Sequence, residues 1–249
     1  MTAKEIETVQ ILLQKLIELK ARNLYGDYVD SPMPIYDGVG SPEKYSSSKI
    51  KVMWVLKEAY DDFDEFGAPK GGGWEVYEQW GDESKLKEVT SVRSWQPIMY
   101  VLRALFEDKN WDDIAWIRDE REEYVEALRS CAYININKMP AGKTSGDLSE
   151  SFNIWCDVIN AQILAYAPDV IIFGNTMSYF QDQSYMNKYE RTEYHDLEGV
   201  APAGIATIGN KRTLLINAYH PNQKSITRQE YVDSILAAIR LHYDKLEMR

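Results

Sequence analysis

Three short segments carry side chains whose types and spacing suit chemistry on a polarised bond. In KEAYDDFDEFGAPKGGGW, Glu58, Asp61 and Asp62 follow directly on an apolar run, and the segment then supplies Gly71-Gly72-Gly73-Trp74. A carboxylate held where a buried strand ends can act as a general base on water or stabilise a developing cation, and a glycine hinge can bring an aromatic ring over a ligand. In CAYININKMPAGKTS, Asn135 ends a second apolar run and Lys138 follows it. An asparagine there offers both a donor and an acceptor, as the edge of a heterocycle requires. In NAYHPNQKS, His220 follows a third apolar run and is one of only three histidines; His195 lies in a charged, irregular stretch and His242 in the last helical one. Taken alone, each residue also fits a structural role, as a solvated loop acid, a capping asparagine or a core histidine. Its place at a strand end tips His220 towards function. The Gly142-Lys143-Thr144 run has the strand-to-helix context of a phosphate-binding loop, but Asn137 stands where that pattern needs its first glycine.

These residues need elements to position them. Residues 50–56 (IKVMWVL), 131–136 (CAYINI), 169–173 (DVIIF) and 213–218 (TLLINA) are nearly continuous apolar runs, as strands covered on both faces must be. Helical stretches are predicted at about 95–106, 113–129, 147–166, 175–188 and 226–245. Strands alternating with helices imply an α/β fold, a three-layer α/β/α sandwich around a central, mostly parallel sheet of about four strands. A weaker strand at 204–208 is expected to form a hairpin with 213–218 through Gly209-Asn210. At the N-terminus, Ile6, Val9, Leu12, Leu13, Leu16, Ile17 and Leu19 follow a 3.6-residue period and predict one face of a packing helix over about 3–22. Residues 26–49 lack a period and read as a loop laid over the surface. No repeat or linker divides the chain, so residues 1–249 are expected to form one domain. In sheets of this kind ligands bind outside the carboxyl ends of the strands. Residues 57–74, 137–144, 174–176 and 219–227 are therefore where a site is expected.

Composition narrows the partners. The 28 Lys and Arg against 39 Asp and Glu give a net charge of −11, which opposes long-range attraction to nucleic acid or anionic lipid. Residues 57–88 hold 10 acids and 4 bases, and residues 107–126 hold 9 acids and 3 bases, so each stretch is net −6. Lys138, Lys143, Lys211, Arg212, Lys224 and Arg228 fall instead in or near the second and third segments, where a backbone phosphate is expected to sit. Two cysteines are too few for a four-cysteine zinc or iron–sulfur site. The chain has no run of about 18 apolar residues, and its acidic start lacks the basic, then apolar, pattern of a signal peptide. No membrane partner and a cytoplasmic location are the expectation.

With these segments in order, the chain resembles the uracil-DNA glycosylase superfamily. That family carries a first motif containing Gly-Gln-Asp-Pro-Tyr-His or Gly-Glu-Ala-Pro-Gly, an Asn after its second strand, an apolar strand ending near Gly, and a final His-Pro-Ser. The counterparts here are Leu56-Lys57-Glu58-Ala59-Tyr60-Asp61, then Asn135 with Lys138 and Pro140, then IIFGN ending in Gly174-Asn175, then His220-Pro221-Asn222. The match runs over residues 50–228. Leu56 replaces the first glycine and Asn222 the serine, and the four cysteines of the iron–sulfur branch are missing, so no cluster is implied. The resemblance implies hydrolysis of the N-glycosidic bond of a deaminated or damaged, uracil-type base flipped from DNA. Under it, Glu58 or, with a one-residue change of alignment, Asp61 orients water and stabilises the oxocarbenium-like sugar. His220 bonds the departing base, Asn135 reads its edge, and Trp74, ahead of Phe63, stacks on it. Lys138, Tyr60, Gly174, Asn175, Asn222 and Lys224 complete the substrate contacts. The implied partner is single-stranded or damaged DNA held by a local basic patch, with no metal or organic cofactor. Two other classes stay open on the residues alone: a binding module that keeps the pocket without the chemistry, and a hydrolase of small nucleosides.

Overall fold

The computed structural model describes residues 1–26, 32–61, 63–73, 75–141, 146–192 and 199–242. Its centre is a seven-stranded mixed sheet in the order β1-β3-β2-β4-β7-β6-β5. The strands are β1 (Gly38–Val39), β2 (Val52–Tyr60), β3 (Ala132–Ala141), β4 (Val170–Gly174), β5 (Glu190–Arg191), β6 (Ala203–Ile208) and β7 (Lys211–Ala218). β3, β2, β4 and β7 pair in parallel, while β1, β6 and β5 add antiparallel edges. The four parallel strands are the ones the apolar runs announce. The sheet nevertheless exceeds the expected four strands, because two-residue β1 and β5 are too short to leave a pattern and β6 is an antiparallel addition through Gly209-Asn210.

The helices are α1 (Ala3–Tyr25), α2 (Pro42–Ser47), α3 (Val76–Gly81), α4 (Leu86–Ser91), α5 (Trp95–Phe106), α6 (Arg121–Arg129), α7 (Ser149–Tyr166) and α8 (Arg228–His242). They cover both sheet faces. Alternate residues of the strands feed two cores: Val52, Trp54, Leu56, Ile172 and Ile216 pack with α5, α6 and α8, and Met53, Val55, Ile171, Phe173 and Leu215 pack with α1 and α7. The chain leaves β2 for β3 along the first face and returns from β3 to β4 along the second. The strand order therefore reverses at β2, which is where open α/β sheets form a crevice.

Four expectations need correction. α1 starts with a capping box, Thr2 bonding Glu5 N–H while Glu5 bonds Thr2 N–H. It buries Ile6, Gln10, Leu13, Ile17 and Ala21, whereas Leu12, Leu16 and Leu19 are 59%, 41% and 60% exposed. The periodic set spanned two stripes, and only one packs. Residues 32–49 are not a surface loop: Ile35, Asp37, Val39 and Tyr45 are buried, and β1 and α2 lie among them. The helix expected over 175–188 is two 3-10 turns, Met177–Phe180 and Ser184–Lys188, and the one expected over 113–129 is helical in α6 only from Arg121.

Candidate active site

The carboxyl edge of the sheet opens into a cavity of about 420 Å³. Its floor is the end of β2, Leu56 to Tyr60; its walls are Tyr133 of β3, Trp95 at the start of α5, Val89 and Glu88 of α4, and His220 with Asn222 after β7. Glu58 and His220 thus face one space, although 162 residues separate them in the chain. Glu58 Oε2 is buried without a protein hydrogen-bond partner. A carboxylate oxygen left in that state is set up to accept a bond from something that enters.

His220 has a defined tautomer. Its Nδ1 accepts the backbone N–H of Asn222 at 3.1 Å. A backbone amide can only donate, so in the neutral ring the proton sits on Nε2. Burial, and then the charge of Lys57, hold the imidazole below its ordinary pKa of 6.5. At neutral pH the residue is an uncharged N–H donor.

The His220 loop is seated by the end of β4. A Cβ on Gly174 would overlap Leu56 Cδ2 and lie 3.1 Å from Pro221 Cδ, so the bare backbone is what lets β2 and the His-Pro turn close together. Asn175, at φ +61°, donates its N–H to Ala218 O at 2.8 Å, and Thr176 Oγ1 donates to Val55 O at 2.8 Å. Gly174 and Asn175 therefore tie strand ends together and do not line the cavity; they position His220 rather than contact a ligand.

Asn135 sits beside Leu56 in register, two residues beyond Tyr133 on the same face of β3. It is 1% exposed and lies outside the cavity lining. Neither amide atom has a hydrogen-bond partner in good geometry. Burial pushes the Tyr133 phenol well up in pKa, and contacts with Trp95 and with Asn135 offset only part of this. Tyr60 and Asn222 line the cavity as expected.

Several expected contributors stand elsewhere. Asp61 is a loop clasp: its carboxylate accepts Gly71 N–H at 3.0 Å and Gly72 N–H at 3.4 Å, holding a run of three left-handed glycines. Of the two acids weighed for the water-activating role, only Glu58 lines the cavity. Lys138 cannot meet a phosphate, because it is fully buried and its Nζ donates to Asp37 Oδ1 and Oδ2 at 2.9 and 2.8 Å and to Gln162 Oε1 at 2.8 Å. Strand alternation turns it into the α1–α7 face. Lys211 pairs with Asp169 at 2.8 Å, and it and Arg212 open β7 at the opposite edge of the sheet. Lys224 is exposed outside the lining. Trp74, Asp62, Lys143 with Gly142 and Thr144, and His195 lie outside the described residues, and Phe63 is exposed away from the cavity.

The aromatic wall was missed in the sequence. Trp95 and Tyr133 line the cavity, and Trp80 packs edge-on against both, with ring centroids 5.6 and 5.9 Å away. Trp95 opens a helix and Tyr133 lies mid-strand, so both read as ordinary core. Among the described residues, no group of three or more His, Cys, Asp or Glu could hold a metal ion, and no helix is long and apolar enough to cross a membrane. No protein-family model and no curated protein matches the chain.

Proposed function

We propose that this protein hydrolyses the N-glycosidic bond of a uracil-type base in DNA, in the manner of the uracil-DNA glycosylases it resembles in motif order. The observation that carries the reading is the pairing of Glu58, with a buried unpartnered oxygen, and His220, held as a neutral N–H donor, on one cavity of nucleoside size. Bond cleavage leaves positive charge on the sugar and a negative charge on the departing base. Glu58 answers the first, orienting the water whose oxygen bonds C1′ and accepting its proton. His220 Nε2–H donates to the base oxygen where the bonding electron pair collects. Trp95 and Tyr133 supply aromatic faces for the base, while Asn135, buried outside the lining, is not among its contacts.

The test is incubation with uracil-containing single-stranded and duplex oligonucleotides, scored for abasic sites. Slow release is expected, because Leu56 replaces the motif glycine and a carboxylate displaced by an ångström can cost about a hundredfold in rate. Glu58→Gln and His220→Ala should each lower the rate by about 100-fold or more. Uracil strands that are bound but left intact would replace this reading by that of a binding module.

A further inference from the structure

Two further depressions continue the cavity along the outside of the helices. The first meets it at Asn222 and is lined by Arg93 and Arg228; the second shares Ser91, Gln96 and Arg228 with the first and adds Arg118, Arg121 and Trp116. Four of the chain's 11 arginines thus follow one path away from the candidate active site, and neither depression is lined by a carboxylate. In a chain of net charge −11 such a run is a local reversal of sign. Two of these guanidinium groups are held by neutral partners: Arg121 donates to Thr90 Oγ1 at 2.8 Å, and Arg228 to Gln96 Oε1 at 2.8 Å while lying 5.5 Å over the Tyr100 ring. Arg118 is the weakest of the four, since Asp119 stands 3.5 Å away. The path also ends on a bare ring. Trp116 is 54% exposed and is braced edge-on by Tyr100 and Trp111, at 6.5 and 6.1 Å between centroids.

We infer that this arginine path is a binding groove for the phosphodiester backbone of a single-stranded nucleic acid, with Trp116 as the platform for an unpaired base. Guanidinium groups suit phosphate because they stay charged and present a planar fork of donors. Aromatic stacking beside a cationic track is how single strands are held without reading sequence. The inference deepens the glycosylase reading, resting on it for the base in the cavity, and it disfavours a free nucleoside as the ligand.

The test uses the full chain and a short uracil-free single-stranded oligonucleotide, with binding followed by fluorescence anisotropy over a salt series. Binding should weaken with salt, and Arg121→Gln and Arg228→Gln should each weaken it and lower the slope of log K against log salt by about 0.7. Trp116→Ala should weaken it about tenfold. Arg212→Gln, at the opposite edge of the sheet, should change neither quantity. Circular dichroism melts of all four variants separate loss of contact from loss of fold. Unchanged affinity and slope in folded Arg121→Gln and Arg228→Gln, no binding by the parent, or equal competition by polyglutamate would each overturn the groove. Uracil release that persists in those variants with unaltered salt dependence would overturn the groove and leave the glycosylase reading standing. Binding with the expected slopes but no release would uphold the groove and remove the chemistry.

Discussion

The states of His220 and Glu58 are set by what surrounds each atom. Because Asn222 N–H occupies Nδ1, protonating the ring sets two donors against each other and removes the acceptor that fixes the loop. The lowered pKa has two measurable consequences. The acid limb of kcat/KM for uracil release should lie below 6.5, and Lys57→Gln, by removing the second cause of the shift, should move it upward. For stability the sign is also set. The folded pKa lies below the unfolded one, so between them the unfolded chain holds more protons. His220 then contributes stability above pH 6.5 that is lost as pH falls through that window, and the melting temperature of the His220→Gln variant should fall less on acidification than that of the parent. Lys138 makes the opposite point, since a lysine in a strand next to the candidate site is spent entirely inside. Lys138→Met leaves Asp37 buried without its cation and should cost about 3–5 kcal/mol by denaturant titration. Adding Asp37→Asn should recover a large part of that loss, since the charge left behind is what is expensive.

At the scale of elements, the seat of the cavity is the close approach of β2, β4 and the turn after β7. Gly174→Ala puts a methyl group into Leu56 and against Pro221. Leucine can swing aside but the proline turn can only shift, so kcat/KM should fall further than stability, which changes by about 1–3 kcal/mol. Leu56→Ala combined with Gly174→Ala should restore part of the rate. Helix α1 divides in the same way. Ile17→Ala opens a cavity among α1, α7 and the sheet and should cost about 2–5 kcal/mol, whereas Leu12→Gln on the exposed stripe should stay within about 0.5 kcal/mol. Thermal or urea melts of the two variants distinguish a packed stripe from a bare one.

At the scale of the molecule, one sheet serves two cores, and its strands hand alternate side chains to each. Truncating neighbours that point to opposite faces, Ile171→Ala and Ile172→Ala, should therefore displace the same unfolding transition, seen together by tryptophan fluorescence and circular dichroism. The global charge and the local groove also pull apart. A net charge of −11 opposes long-range attraction of nucleic acid, so the groove proposed above would hold a strand only at short range.

What could be read from the residues alone was what is local. Four apolar runs marked the four parallel strands because a strand buried on both faces can carry little else, and the helical stretches expected at about 95–106 and 147–166 between them correspond to α5 and α7. Glu58 and His220 were legible as candidates, since each comes just after an apolar run and the parallel arrangement sends the carboxyl ends of those strands to one edge. Tertiary structure decided the rest. Which leucine stripe of α1 is covered depends on α7 and the sheet, not on α1. Whether Lys138 meets solvent depends on the pleat of β3 and on Asp37, 101 residues away. The arginine path could not be seen along the chain, because Arg118 and Arg121 lie in one of its most acidic stretches, and Arg93 and Arg228 join them only in the folded molecule. Local period and strand character are set by the residues that carry them, whereas charge, exposure and convergence belong to surfaces assembled from distant segments.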